Sequence, residues 1–308
     1  MYRKLIEHVN SIGGRVAKKN KTKKQQRIKE RPDQFQSFTE CLKWLKKTVY
    51  LVVRRRNLEK DGKTIWQWDT LGSGFLIAPN RFATSNHVVN DPSKGDRMTH
   101  KDGDVYFLIR HDDENNVHMH WYSPELDKQI FLYPEVDLAI LYLNDSFYEE
   151  GNKKYAKKDD YISVSKNFSV IGTPVGILGY PVCTLGFANN SPDQPLMGNI
   201  LLRTDQGVVN CRYQKSEKDF YYEFTISFNP GNSGGPIFDT RTGKLLSIVT
   251  GYNAIPINQR ETTISDDAAK QLKHYKEKSF IETVHAIYSV GYATPSFLEI
   301  FRKHSIIK

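Results

Sequence analysis

The chain has 308 residues, a length that accommodates two domains of about 100 residues each together with an extension. Hydrophobic residues make up 39% of the chain and aromatic residues 12%, which is enough to build a core. No run of about 18 or more apolar residues occurs, so we expect no transmembrane helix. The three cysteines, Cys41, Cys183 and Cys211, are scattered and odd in number, so we expect free thiols and no disulfide framework.

Residues 1–8 lack the apolar stretch of a secretory signal. Free thiols fit a reducing compartment, and we therefore expect a cytoplasmic protein. An effector exported by a specialised secretion system would have the same sequence features, and this alternative stays open.

The net charge of the chain, +9, comes from its amino-terminal segment. Residues 1–31 contain 11 Lys or Arg and two Glu, whereas the rest of the chain is electrically balanced. A basic tail of this kind can bind nucleic acid or an anionic surface, and a protein whose tail carries the function is one alternative. Because no aromatic residues are interleaved with the lysines, a solvated linker is favoured, and we do not expect nucleic-acid binding.

The first predicted elements lie in this amino-terminal extension, which we assign to residues 1–45. The spacing of Leu5, Val9 and Ile12 indicates a helix, and the charge run that follows indicates a linker. Phe38 to Lys47 is predicted to form a short amphipathic helix that leads into the body of the protein.

Short β-rich runs bounded by turn residues begin at Thr48 and continue to the carboxyl end. Many short strands at this spacing are typical of a barrel or a sandwich. A polar, lysine-rich stretch from Asn144 to Asp160 predicts a linker between two domains, residues 46–155 and residues 156–308. The predicted strands are 49–53, 74–77, 105–109 and 138–141 in the first domain, and 161–164, 175–178, 199–202, 220–226 and 244–250 in the second.

Two helices are predicted near the carboxyl end. Ser265 can cap a helix that continues to Lys276, and the acidic pair that follows Ser265 suits the positive end of its dipole. This helix lies in a predicted insertion over about 256–285. A second short helix is predicted from Ser296 to Lys303.

A serine lies among glycines in the run Gly231-Asn232-Ser233-Gly234-Gly235-Pro236. Glycines adopt backbone angles that other residues avoid, so such a loop can expose a nucleophilic hydroxyl. It can also point the N–H groups of Gly231 and Ser233 at one spot, which makes an oxyanion hole.

A base and an orienting acid precede this serine in the chain. His87 follows a strand and its turn, and Asp137 opens the apolar run Leu138 to Leu141. In isolation, a structural histidine and a strand-edge carboxylate are reasonable readings of these two residues. The order His87, Asp137, Ser233 is that of the chymotrypsin arrangement and differs from the orders in subtilisin and in α/β-hydrolases.

With these motifs, the chain resembles a trypsin-like serine protease and is most similar to the HtrA/Deg-type catalytic domain. The resemblance covers about residues 48–303. It implies an all-β chain of two packed antiparallel β-barrels, the chymotrypsin-like fold, with the first barrel in residues 46–155 and the second in 156–308. Its segments are Gly72–Ile77, Thr84–Val89, Asp137–Leu141, Gly172–Pro181, Phe228–Pro236 and Val290–Ser296. Because only about ten residues follow the last of these segments, we expect no counterpart of the family's carboxyl-terminal PDZ domain.

The resemblance also implies an activity, peptide-bond hydrolysis in protein substrates. Asp137 would orient His87, and His87 would deprotonate Ser233 and then protonate the leaving amine. No metal and no organic cofactor is needed, so we expect neither.

Specificity is implied by four further positions, Ser227, Thr250, Gly251 and Tyr252. Ser227 would lie near the floor of the primary pocket, and the other three would form the strand that pairs with the substrate. Because Ser227 is not an acid, we expect a small or medium neutral side chain in the pocket and no strong preference for Arg or Lys.

Several alternatives stay open. A catalytically silent binding module could keep the fold, and the oxyanion loop could be preformed or depend on activation. The insertion could gate substrate access or be a surface insertion without a role. His118 and His120 could share a strand face, but without a third ligand an exposed polar face is favoured over a metal site. The sequence does not define an oligomeric state.

Overall fold

The computed structural model of the chain describes residues 32–60, 62–90, 105–111, 117–122, 129–144, 147, 160–181, 183–187, 196–214, 216–263 and 279–308. The basic segment 1–31, with its predicted helix, lies outside the described residues. So does most of the predicted helix from Ser265 to Lys276, since residues 264–278 are not described.

The described residues form sixteen strands and three α-helices. The first seven strands are β1 (Val49–Lys60), β2 (Lys63–Ala78), β3 (Arg81–Ser85), β4 (Val105–His111), β5 (Val117–Tyr122), β6 (Ile130–Tyr133) and β7 (Leu138–Tyr142). The other nine are β8 (Pro174–Gly179), β9 (Thr184–Phe187), β10 (Leu196–Asn199), β11 (Arg203–Gln214), β12 (Phe220–Phe224), β13 (Pro236–Asp239), β14 (Leu245–Ile248), β15 (Gly251–Thr263) and β16 (Ser279–Tyr292). The helices are α1 (Phe38–Leu45), α2 (Asn86–Val89) and α3 (Leu298–Lys303).

The first sheet has seven antiparallel strands in the order β5-β4-β1-β2-β3-β7-β6. Its strand β1 is buried on both faces. Val49, Leu51 and Val53 pack in a cluster that also includes residues of the second sheet, whereas Tyr50 and Val52 pack in another cluster, made by the first sheet, α2 and residues that follow β7. Successive side chains of a strand point to opposite faces, so burial of both faces explains the uninterrupted apolar run at this position.

The second sheet also has seven antiparallel strands, in the order β14-β13-β8-β11-β12-β16-β15. A bridge between Ser247 of β14 and Ala293, which follows β16, connects strands from distant parts of this order and curls the sheet towards a barrel. The strands β9 and β10 form a separate pair. The prediction of an all-β chain built from two antiparallel sheets is confirmed, and the two sheets share one apolar cluster.

Three predictions about elements in the second half were wrong. Tyr161 to Val164 makes only an isolated parallel bridge, from Val164 to Leu245. The run 199–202 is not a strand, because β10 ends at Asn199 and β11 begins at Arg203. The insertion predicted as helical over 256–285 begins and ends as strands, since β15 and β16 pair from Gly251 opposite Val290 to Thr263 opposite Ser279, with one register shift between Pro256 and Asn258. β-branched residues in both arms favour this pairing, and the capping signals at Ser265 do not reveal it.

The helix predicted from Phe38 to Lys47 is confirmed as α1, with Ser37 as its cap. Its first turn packs on the second sheet. The ring of Phe38 lies 6.3 Å from that of Phe238, and a Cβ on Gly176 would be 2.5 Å from a ring carbon of Phe38, so this ring packs directly on the backbone of β8. The N–H of Phe35 donates to the carbonyl of Arg241 at 2.6 Å. Residues 32–45 are therefore part of the packed body.

The predicted carboxyl-terminal helix is confirmed as α3, after a 3-10 turn at Thr294–Phe297. His304, which follows α3, is buried between two tyrosines of the first sheet. Its Nε2 lies 2.6 Å from the hydroxyl of Tyr133, and its Nδ1 lies 2.8 Å from that of Tyr142. Arg81 covers the ring of Tyr142 and donates from Nε to the carbonyl of His304 at 3.3 Å. These contacts attach the end of the chain to the first sheet.

The buried histidine makes stability depend on pH. Burial lowers the pKa of His304 from its ordinary 6.5, and the positive charges of Lys303 and Arg81 lower it further. The unfolded chain therefore binds the proton more readily, and the free energy of unfolding decreases as pH falls below about 6.5. We expect His304→Gln, which does not titrate, to lose less stability than the wild type between about pH 7.5 and about pH 5.5. Urea unfolding at both pH values measures this difference, and equal losses in the two proteins would contradict it.

Candidate active site

Two paired strands bring His87 close to Asp137. Strand β3 runs directly into α2, the short helix that carries His87. A 3-10 turn at Pro134–Val136 precedes Asp137, which opens β7. Because β3 pairs with β7 and Ser85 lies opposite Leu138, the end of one strand lies beside the start of the other.

Asp137 binds both the ring and the backbone at His87. The His87 Nδ1 lies 2.8 Å from Oδ2 and 3.0 Å from Oδ1 of the carboxylate, and the His87 backbone N–H donates to Oδ1 at 3.0 Å. The N–H of Asn86 donates to the Asp137 carbonyl at 3.0 Å. These bonds hold Asp137 in a left-handed conformation, φ 49 and ψ 44, that is uncommon for a residue other than glycine. A carboxylate accepts hydrogen bonds, so Nδ1 carries the proton and Nε2 is left as a base.

The turn before Asp137 is also held by the second sheet. The hydroxyl of Tyr292 donates to the carbonyl of Glu135 at 2.9 Å. Burial raises the pKa of Tyr292, and the carboxylates of Asp219, Asp137 and Glu135 raise it further. The phenol therefore stays protonated and remains a donor to this turn.

The glycine-rich run 231–236 forms a loop that leads into β13. Gly231 and Gly234 have positive φ angles of 95 and 81, which require glycine. Three N–H groups of this loop donate to carbonyls: Asn232 to Asn229, Gly234 to Val249 and Gly235 to Asn232. Within the described part of the chain, the N–H groups of Gly231 and Ser233 have no acceptor.

Ser73, in the middle of β2, contacts this loop at two points. Its hydroxyl donates to the carbonyl of Gly231 at 2.7 Å, and its backbone N–H donates to the carbonyl of Ser233 at 2.8 Å. The same hydroxyl oxygen accepts the N–H of Tyr180 at 2.9 Å. Ser73 is 0% exposed, so these bonds lie in the interior between the two sheets.

The backbones of β2 and the loop 231–236 approach closely where Ser73 contacts the loop, and we call this contact the joint. A Cβ on Gly72 would lie 2.8 Å from the carbonyl oxygen of Ser233 and 2.8 Å from a methyl of Val88, the residue after His87. Ser233 is therefore placed next to α2. The Ser233 hydroxyl makes no hydrogen bond to His87 among the residues that the structure describes.

Gly234, the residue after Ser233, packs against the end of β3. A Cβ there would meet the Thr84 hydroxyl and the Ser73 carbonyl, and would lie 2.9 Å from the N–H of Ser85. The Ser85 hydroxyl donates to the carbonyl of Val249 at 2.8 Å. The run that carries Ser233 and the run that carries His87 are thus fixed to each other.

The four predicted substrate-binding residues lie on two segments that meet at β16. Ser227 is exposed, and the N–H of the next residue, Phe228, donates to the hydroxyl of Ser289 at 3.1 Å. In β15, Gly251 lies opposite Val290 and Tyr252 lies opposite Ser289. The Thr250 hydroxyl donates to the carbonyl of Ile248 at 3.3 Å and has no contact with Asp137 among the described residues.

Ser73 and Tyr292 also contact the segments of this site. The sequence motifs contain both residues but gave no functional role to either of them. The available signal was the pattern Gly72-Ser73-Gly74, because three consecutive small residues inside a strand indicate close approach of another backbone. The partner of that approach, the loop at Ser233, is far away in sequence and was not predictable from the pattern.

The chain matches the family model of the trypsin-like peptidase domain over residues 72–248. This span is more than half of the chain and contains His87, Asp137 and Ser233. The chain therefore belongs to the trypsin-like peptidase domain family, as the resemblance in its motifs predicted.

Solved structures with a similar chain course include HtrA-type proteases. The HtrA-type protease AlgW with decapeptide is 14% identical, with 88% of this chain and 67% of that chain covered and a TM-score of 0.48. Deg5 is 18% identical, with 69% and 83% covered and a TM-score of 0.45. The serine endoprotease from Yersinia pestis is 17% identical, with 90% and 68% covered and a TM-score of 0.44. At these values the family assignment rests on the sequence match.

The described residues contain neither a cluster that could hold a metal ion nor a membrane-spanning helix. No group of three or more His, Cys, Asp or Glu residues there has the arrangement of a metal site, and the side chains of His118 and His120 lie outside the description. No described helix is long and apolar enough to span a membrane. Cys41, Cys183 and Cys211 are free thiols.

The close contact at Gly234 predicts a large effect on stability. Gly234→Ala would place a methyl group against fixed backbone at a positive φ, so we expect the free energy of unfolding to fall by at least about 2 kcal/mol. Gly251→Ala is the matched control, because a Cβ there meets nothing within 4 Å, and we expect a change below about 1 kcal/mol. Urea unfolding measures both variants, and equal stability would contradict the close packing at Gly234.

Proposed function

We propose that the protein is a serine endopeptidase that hydrolyses peptide bonds of protein substrates through an acyl-enzyme intermediate. Ser233 is the nucleophile, His87 the general base and acid, and Asp137 the residue that orients the imidazole. The observation that carries the proposal is the pair His87–Asp137, with Nδ1 and Oδ2 2.8 Å apart, beside the glycine loop that presents Ser233.

Acylation begins when the Ser233 oxygen attacks the carbonyl carbon of the substrate and His87 Nε2 takes its proton. The carbonyl oxygen then carries a negative charge. When the C–N bond breaks, His87 gives its proton to the leaving amine, and the acyl group stays on Ser233 as an ester. Water then attacks this ester, with His87 again as the base, and the carboxylic acid and the free serine are formed.

The charge on His87 during these steps is compensated by Asp137. Imidazolium forms each time the ring accepts a proton, and the carboxylate that binds Nδ1 stabilises it. Because Asp137 also accepts the backbone N–H of His87, its carboxylate is held in place beside the ring. This double attachment supports a positioning role for Asp137.

The N–H groups of Gly231 and Ser233 are the proposed oxyanion donors. Their neighbours in the loop are all bonded to carbonyls, whereas these two have no acceptor in the described part of the chain. Donors that are already oriented stabilise the tetrahedral oxyanion without reorganisation when the charge forms. This supports a hole that is formed before substrate binds.

Ser227, Thr250, Gly251 and Tyr252 are the proposed substrate-binding residues. Their backbone segments lie on either side of Ser289 in β16, which supports a common pocket. With no acid at Ser227, we expect a small or medium neutral side chain at the cleaved bond. Profiling with a peptide library tests this preference, and dominant cleavage after Arg or Lys would contradict it.

The proposed triad predicts large losses of kcat in two variants of the full chain. We expect Ser233→Ala to lower kcat for a cleaved peptide by at least about 10⁴-fold, because no nucleophile remains. Asp137→Asn should lower kcat by about 10⁴-fold, because the amide favours the wrong imidazole tautomer. Steady-state kinetics with a peptide from the library measures both losses.

Ser216→Ala and Asp205→Asn are matched controls at exposed positions outside the site, and both should retain wild-type kcat. Cleavage that persists in Ser233→Ala would contradict the assignment of the nucleophile. A folded wild-type protein that cleaves no peptide and no unfolded protein would favour a silent binding module instead.

A further inference from the structure

We propose that Ser73 is a positioning residue whose hydroxyl holds the loop 231–236 in the conformation that presents the N–H group of Gly231 to the oxyanion. The inference rests on the proposed function, since it concerns the oxyanion donors of the same site. It adds to that function a side chain from the first sheet that touches neither the substrate nor the reacting atoms.

The Ser73 hydroxyl donates one hydrogen bond and accepts one, both with backbone groups. A serine hydroxyl has one hydrogen to donate, and Ser73 donates it to the carbonyl of Gly231 at 2.7 Å. The oxygen accepts the N–H of Tyr180 at 2.9 Å. Because Ser73 is 0% exposed, solvent does not reach this position and cannot replace the hydroxyl if it is removed.

The peptide between Gly231 and Asn232 is the part of the loop that this hydroxyl controls. Its N–H is bonded to the carbonyl of Asn229 at 2.9 Å, and its carbonyl is bonded to Ser73. The plane of this peptide meets the plane of the preceding peptide at the Cα of Gly231. The preceding peptide carries the Gly231 N–H, which is the first proposed oxyanion donor. Since Gly231 has a φ of 95 and no Cβ, its backbone angles resist rotation only weakly, and the orientation depends on these bonds.

The peptide that carries the Ser233 N–H is held by the bond from the Gly235 N–H to the Asn232 carbonyl at 2.8 Å. The next peptide, between Ser233 and Gly234, does not depend on the Ser73 hydroxyl either. Its carbonyl accepts the backbone N–H of Ser73 at 2.8 Å, and its N–H donates to Val249 at 2.9 Å. Removal of the hydroxyl alone leaves both bonds in place. The effect of such a change is therefore confined to the Gly231 side of the hole, while Ser233 stays anchored.

The Ser73 hydroxyl therefore affects catalysis by orienting an N–H donor that stabilises the transition state. Loss of one oxyanion donor lowers kcat by about 10²–10³-fold, and a donor that is present but poorly oriented loses part of that. We expect Ser73→Ala to lower kcat by about 10–100-fold with KM within about threefold of wild type, because substrate binding does not use the oxyanion donors. The inhibition constant of a peptide aldehyde, which forms an oxyanion on Ser233, should rise in proportion to the loss of kcat/KM.

The pH profile separates this role from a general loosening of the site. Ser73 does not contact His87 or Asp137 among the described residues, so the pH of half-maximal kcat/KM should be the same in Ser73→Ala and in wild type. A variant that merely loosened the joint would disturb the His87–Asp137 pair and shift that pH as well.

The matched control is Thr84→Val. The Thr84 hydroxyl donates to the carbonyl of Ser73 at 2.6 Å, so this variant removes a buried bond to the same residue while the Ser73 hydroxyl and its bond to Gly231 stay in place. We expect it to lower the melting temperature while kcat stays within about threefold of wild type. Ser73→Cys is the second test variant, since a thiol fills the space but donates only weakly, and it should lose kcat in the same direction if Ser73→Ala does not fold.

The experiment measures kcat, KM, aldehyde inhibition and pH profile for wild type and these variants of the full chain, with a peptide whose cleavage is lost in Ser233→Ala. Folded Ser73 variants with wild-type kcat would overturn the inference and leave the proposed function intact. A loss of kcat in Thr84→Val as large as that in Ser73→Ala would also overturn it. Absence of Ser233-dependent cleavage in wild type would overturn the proposed function and this inference together.

Discussion

A backbone hydrogen bond between Ser73 N–H and the carbonyl of Ser233, 2.8 Å long, joins the first sheet to the loop that carries the proposed nucleophile. This bond forms only because the strand and the loop have no side chains between them, and a Cβ at Gly72 or Gly234 would collide with the opposite backbone. The loop is thus shaped by a strand of the other sheet. The proposed triad depends on that joint, since His87 and Asp137 are supplied by the first sheet and Ser233 by the second.

Other contacts reinforce the joint from both directions. Tyr292 reaches from the second sheet to the turn before Asp137, and Ser85 reaches from the first sheet to Val249, beside the proposed nucleophile loop. Helix α1 packs on the second sheet, whereas His304, at the opposite end of the chain, is held by the first. Because hydrogen bonds cross between the sheets at several points, a change in one sheet is transmitted to the groups that belong to the other. The proposed site is accordingly a property of the packed pair of sheets.

Local patterns predicted much of this fold, and long-range pairing accounts for what they missed. Apolar β-branched runs identify most strands, and the glycines around Ser233 identify a special loop, because both effects act within a few residues. The run 161–164 has a strand-like pattern but makes only one bridge, since Ile162 is buried by packing and bonds through its N–H to the carbonyl of Leu76. The ends of the predicted helical insertion are strands because each arm finds its partner in the other. Ser73 is separated from Gly231 by 158 positions, so its role depends on a contact that no local pattern contains.

The most direct test of an assembled site is the chemical reactivity of Ser233 in the folded, full-length protein. Fluorophosphonates react with serines whose hydroxyl is activated by a base and whose adduct is held by oxyanion donors. Mass spectrometry after digestion should find one adduct, on the peptide that contains Ser233, and this adduct should be absent from His87→Ala. A folded protein that remains unlabelled at Ser233, or that is labelled equally without the imidazole of His87, would contradict a triad assembled between the two sheets.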